Sequence, residues 1–153
     1  MAYFNFVDRS RAAVVGGFTA NAAGEIQTGV LVKINAGGKL TLNAFNQAPD
    51  GFAEGLRQLV YAPTAVTLDA GEYCNVVSGK VLVRCDSSFF YGGTLPSQGD
   101  TIYAVNNGLM STSGGVYKIG KCIKAKEYYR TPPNSSTEMV LLDLTIGGER
   151  AVQ

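Results

Sequence analysis

Hydrophobic and polar positions change register several times along the chain, and the changes mark its elements. Val30-Leu31-Val32-Lys33-Ile34 is a short apolar run that ends at the turn cluster Asn35-Ala36-Gly37-Gly38. Lys39-Leu40-Thr41-Leu42-Asn43 then alternates with period two, as a half-buried strand does, so the two segments predict a hairpin. Asp50-Gly51 is a further turn signal before Phe52–Arg57. Gly51–Leu59 reads as strand and loop. A short helix with Phe52, Leu56 and Leu59 on one face is the alternative, and Gly55 weakens it by about 1 kcal/mol.

Tyr73–Val77 and Lys80–Arg84 flank Ser78-Gly79, which reads as a two-residue hairpin turn. Ser87–Ser97 is a longer loop carrying Phe89, Phe90 and Tyr91. Thr101–Val105, Val116–Ala125 and Met139–Ile146 are strands, with Asn106-Asn107-Gly108 and Pro132–Ser136 as turn and solvent loop. The sum is an all-β chain, a small barrel or sandwich of about nine short strands. No 20–50-residue repeat runs through it.

Residues 1–28 follow no such pattern. Met1–Val7 holds Tyr3, Phe4 and Phe6, polar Asp8-Arg9-Ser10-Arg11 follows, and Ala12–Gly24 shows neither period 2 nor 3.6. This segment reads as an extended N-terminal arm rather than a core element, giving a division into arm (1–28) and β domain (29–153). Burying the three rings would contribute about 5–9 kcal/mol. Ordering Met1–Asp8 costs about 8–16 kcal/mol of backbone entropy. The arm therefore needs backbone hydrogen bonds as well, for instance by adding a strand to a neighbour's sheet edge; the alternative is that its aromatics cap the chain's own barrel. Tyr3, Phe4, Phe6, Arg9 and Arg11 are the candidate partner-binding residues.

Composition narrows the chemistry. The 153 residues include no histidine, which removes the usual general base at neutral pH and the commonest metal ligand. Charged residues are only 16% and the net charge is +1, so no global field draws the chain to nucleic acid or an anionic membrane. No apolar run reaches the ~18 residues of a membrane span. Met1–Gly17 lacks the basic start and uninterrupted apolar core of a signal peptide, so folding in a cytoplasm is expected. Cys74, Cys85 and Cys122 are odd in number and without CxxC spacing, which indicates neither disulfides nor zinc ligands, and Cys85, at period two after Val81 and Val83, reads as a buried thiol.

Gly115–Cys122 fits GxxxxGK, yet Cys122 stands where a magnesium-binding hydroxyl belongs, and Val116-Tyr117-Lys118-Ile119 is strand material. The carboxylates are scattered, with Asp69 and Glu72 in a turn. No catalytic, cofactor or metal residue is assigned, and an enzyme is not expected. Lys118, Lys121, Lys124, Lys126 and Arg130 are interleaved with Tyr117, Tyr128 and Tyr129, a pattern that can bind single strands. Lys121 breaks the strand parity of its neighbours, so a solvated face is the preferred reading and no nucleic-acid partner is expected.

The succession of segments resembles the small β-barrel capsid decoration (cement) proteins of tailed bacteriophages. The resemblance rests on Gly29-Val30-Leu31-Val32, Gly38-Lys39-Leu40-Thr41-Leu42, Gly51-Phe52-Ala53-Glu54-Gly55-Leu56 and Leu68-Asp69-Ala70-Gly71-Glu72. It continues through Val76–Val83, Gly99-Asp100-Thr101-Ile102-Tyr103, Ile119–Ala125 and Met139–Ile146, spanning residues 29–146. The lead-in, the Phe89–Tyr91 loop and an insertion at Glu127–Thr137 are longer than the minimal barrel has. The resemblance implies a non-enzymatic virion subunit on the outer head surface, made in the host cytoplasm. Its partners would be the major capsid protein and itself, as a homotrimer. Another virion barrel, such as a tail or fibre subunit, and a single-stranded nucleic-acid-binding barrel are the alternatives.

Overall fold

A computed structural model describes residues 2–58, 64–131 and 135–147, and for 126–131 and 135–136 it describes the backbone alone. Among the described residues the fold is all-β, a single open antiparallel sheet of nine strands in a sandwich or barrel-like arrangement. In chain order they are β1 (Phe4–Phe18), β2 (Leu31–Ile34), β3 (Leu40–Leu42), β4 (Gly51–Gly55), β5 (Cys74–Cys85), β6 (Thr101–Ala104), β7 (Met110–Ser111), β8 (Tyr117–Thr131) and β9 (Ser135–Ile146). Four of these run to 12–15 residues, longer than the short strands expected. No helix among the described residues is long and apolar enough to cross a membrane.

Several expectations hold. Val32, Lys33 and Ile34 pair with Leu42, Thr41 and Leu40 as the predicted hairpin. Gly51–Gly55 is a strand, followed by a turn; Leu59 lies outside the described residues. Within the Glu127–Thr137 insertion, Glu127–Thr131 and Ser135–Thr137 extend β8 and β9, with Thr131 opposite Ser135. Ser135 and Ser136 thus belong to a strand rather than to the solvent loop, whose Pro132, Pro133 and Asn134 lie outside the described residues.

Ser78-Gly79 is not a hairpin turn. β5 passes straight through it, and β1 pairs along its whole length, Phe4 opposite Cys85 and Phe18 opposite Cys74. Val77 has Val14 on one edge and Phe52 on the other, while Lys80 has Arg11 and Thr145. One edge of β5 thus belongs to β1, and the other passes from β4 to β9 at Ser78–Gly79. Gly79 takes φ +89° there, a conformation that only glycine adopts without strain. Residues 77, 81, 83 and 85 keep one parity across it and are all buried, which fits an unbroken strand.

Beyond that point the sheet divides into two wings, β4-β2-β3 and β9-β8-β6-β7. They meet again where the turn Asn106–Gly108 returns to the first wing: Gly108 N–H donates to Asn43 O at 3.0 Å, and Phe45 N–H to Asn106 Oδ1 at 2.6 Å. The core fills the space between, with Phe4, Leu31, Phe52, Val83, Phe89, Leu142 and Leu144 fully buried.

The N-terminal segment departs most from its sequence reading. It is not a loose lead-in. β1 is one of the two longest strands, and Phe4 stands at the centre of the core. The backbone hydrogen bonds that the energetics demanded come from β5 of the same chain.

Candidate functional site

Tyr3 and Phe4 face inward. Tyr3 is 9% exposed, and its carbonyl accepts from Asp86 N–H at 3.1 Å. Phe4 has no exposed surface and touches the rings of Phe6, Phe89 and Phe52 at centroid separations of 5.0, 5.2 and 5.4 Å. These tilted and edge-on geometries are the favourable ones for aromatic pairs. Both residues are buried in the chain's own fold. Phe6 is half-buried beneath the Arg9 guanidinium, which lies 5.7 Å from its centroid and pairs with Glu54 of β4. Arg9 therefore ties β1 to its own first wing. Of the five candidates, Arg11 alone stands wholly on an open surface. With Asp8, Ser10, Lys80, Val81 and Leu82 it lines a depression of about 330 Å³.

Beyond Phe6 the strand is wet on both faces. Residues 7–11 and 13–17 are exposed, Val7, Val14 and Val15 at 43%, 45% and 55%. The outer edge of β1 pairs with no described strand. Three bulges, at Phe6/Asp8, Asp8/Arg11 and Val15/Phe18, interrupt its register with β5. Bulges and charges are the usual devices that keep an open edge from indiscriminate pairing. Sequence reasoning missed Val7, Val14 and Val15 because a strand wet on both faces carries no apolar period.

The lysines of β8 are better aligned than sequence parity suggests. Tyr103 pairs with Lys118 and Ile102 with Gly120, so Ile119 is an extra residue; Cys122 pairs with Leu142 and Lys124 with Leu141, so Ile123 is another. Each bulge resets the alternation, and Lys118, Lys121 and Lys124 are all exposed on the outer face, while Ile119 and Cys122 are buried. The side chains of Lys126, Tyr128, Tyr129 and Arg130 lie outside the described residues.

Other chemistry-bearing groups are structural. The GxxxxGK residues run into the middle of β8, where a Cβ on Gly120 would meet Leu144 Cα at 2.9 Å, so they form no phosphate-cradling turn. Glu72 accepts from Arg57 at 2.7 and 2.9 Å, and that guanidinium holds its carboxyl at about 2. Ser10 N–H lowers the Asp8 carboxyl in the same way. Cys74, Cys85 and Cys122 are buried free thiols, and burial pushes each pKa up, Cys74 to about 11. No group of three or more Cys, Asp or Glu among the described residues could hold a metal ion. No protein-family model, curated protein or solved structure matches the chain.

Proposed function

We propose that this chain is a bacteriophage capsid decoration subunit that binds the outer surface of the assembled head and bridges major capsid subunits as a homotrimer. The observation that carries the reading is β1: a 15-residue strand whose outer edge is open among the described residues and whose exposed valines lie beside it. An open edge offers main-chain hydrogen bonds to an extended segment of a partner, and exposed apolar side chains add burial. The resemblance in the order of segments across residues 29–146 is what suggests the major capsid protein as that partner.

The test mixes purified protein with expanded, undecorated heads, followed by co-sedimentation and electron cryomicroscopy. Saturable pelleting with added density at three-fold or quasi-three-fold positions is expected. Heads that take up no protein at micromolar concentrations overturn the reading.

A further inference from the structure

We infer that the outer face of the second wing, together with β1, is a cationic docking surface for the acidic face of another protein; in the reading above, that protein is the shell. Three rows of paired residues cross this face. Arg11, Lys80 and Thr145 form one, and Asp8, Leu82, Asp143, Lys121 and Thr101 the next. Asn5, Arg84, Leu141 and Lys124 form the third, and Lys118 lies beside Tyr103 at the end of the wing. Six cations thus share the face with two carboxylates, on a chain whose net charge is only +1. The rest of the sequence carries seven cations and ten carboxylates.

Four salt bridges lie on the first wing and its flanks: Arg9–Glu54, Lys33–Asp50, Arg57–Asp69 and Arg57–Glu72. Arg11, Lys80, Lys118 and Lys121 make none among the described residues, although Lys121 stands directly opposite Asp143. Clustered like charge costs self-repulsion and returns a field that attracts an opposite surface.

The face also carries an apolar centre. Leu82 and Leu141 are diagonal neighbours on adjacent strands, both part-exposed, and Ile123 stands out from its bulge at 36% exposure. An apolar centre ringed by charge is the anatomy of a protein interface. Single-stranded nucleic acid needs aromatic platforms, and among the described side chains of these rows Tyr103, half-buried, is the one aromatic.

The test uses the full-length protein with poly-L-glutamate and a thymidine 30-mer as separate probes, in parallel with expanded heads. Lys121→Glu is compared with Lys39→Glu, which makes the same charge change in the exposed loop of the β2–β3 hairpin. Asp143→Asn removes a carboxylate from the face. Lys121→Glu is expected to weaken polyglutamate binding by about fivefold or more, Lys39→Glu to leave it within about twofold, and Asp143→Asn to tighten it. Equal losses in Lys121→Glu and Lys39→Glu overturn the inference. So does tighter binding of the thymidine 30-mer than of polyglutamate, which points to nucleic acid. Circular dichroism confirms that each variant is folded, and a variant that is not is replaced by Lys118→Glu. Heads that bind no wild-type protein refute the capsid reading alone, because the polyglutamate comparison needs no heads.

Discussion

Phe4→Ala tests whether the N-terminal segment is core or arm. Phe4 is fully buried and contacts three other phenylalanine rings. A buried Phe→Ala change costs about 3–5 kcal/mol, and loss of three aromatic pairs places this one toward the upper end. Whole-domain stability is about 5–15 kcal/mol, so the variant loses a large share of it. At about 3 °C per kcal/mol for a chain of this size, the midpoint should fall by about 9–15 °C. Urea titration by circular dichroism measures the loss, with Val15→Ala, 55% exposed, as the control within about 0.5 kcal/mol. Hydrogen exchange adds a second measure: β1 amides bonded to β5 should exchange only with global unfolding. A loss below about 1 kcal/mol, with β1 amides exchanging freely, would show that β1 detaches and refute its place in the core.

Three further outcomes follow from the fold. Inserting Gly-Ser between Ser78 and Gly79 should cost about 2 kcal/mol or more in urea titration, because it breaks register with β1 on one edge of β5; a hairpin turn would absorb the insertion for less than about 1 kcal/mol. Cys74, Cys85 and Cys122 should resist a thiol reagent at pH 8 and all react in urea, since burial removes both access and thiolate; fast labelling of native protein would contradict their burial. Glu72 sits at about 2 against an ordinary 4.5, held down by Arg57. A depressed carboxylate stabilises fully above its unfolded pKa and loses that contribution as pH falls through its folded one. Wild type should therefore lose urea resistance between about pH 4.5 and 2 more steeply than Glu72→Gln, and equal slopes would remove Glu72 from the acid response.

What the sequence made legible was whatever is local and half-buried. The β2–β3 hairpin announces itself because Leu40 and Leu42 alternate with polar neighbours and a four-residue turn cluster precedes them. β1 is illegible for the opposite reason. From Val7 to Gly17 it has no buried face to impose a period, and its pairing with β5 joins residues more than fifty positions apart. Ser78-Gly79 misleads because a glycine at φ +89° gives the same local signal in a turn as in a strand changing partners. The continued parity of Val77, Val81 and Val83 was the available counter-signal. The β8 lysines mislead because the bulges at Ile119 and Ile123 reset their alternation, and bulges are fixed by register with β6 and β9, not by β8 alone.

Asp8 and Arg11 belong to both candidate surfaces, since β1 offers its main chain along the open edge and its side chains to the cationic rows. The two modes respond differently to salt. Main-chain pairing and apolar burial are little affected, whereas attraction between exposed charges fades as the screening length drops from ~10 Å at 0.1 M to ~3 Å at 1 M. Head binding by wild type should therefore fall with salt to a plateau set by the β1 edge. Lys121→Glu should begin nearer that plateau and fall less. Val14→Ser together with Val15→Ser should lower the plateau and keep the salt slope, because those side chains lie beside the edge and carry no charge. If the paired serines flatten the slope while Lys121→Glu leaves it intact, the roles assigned to the two surfaces are reversed.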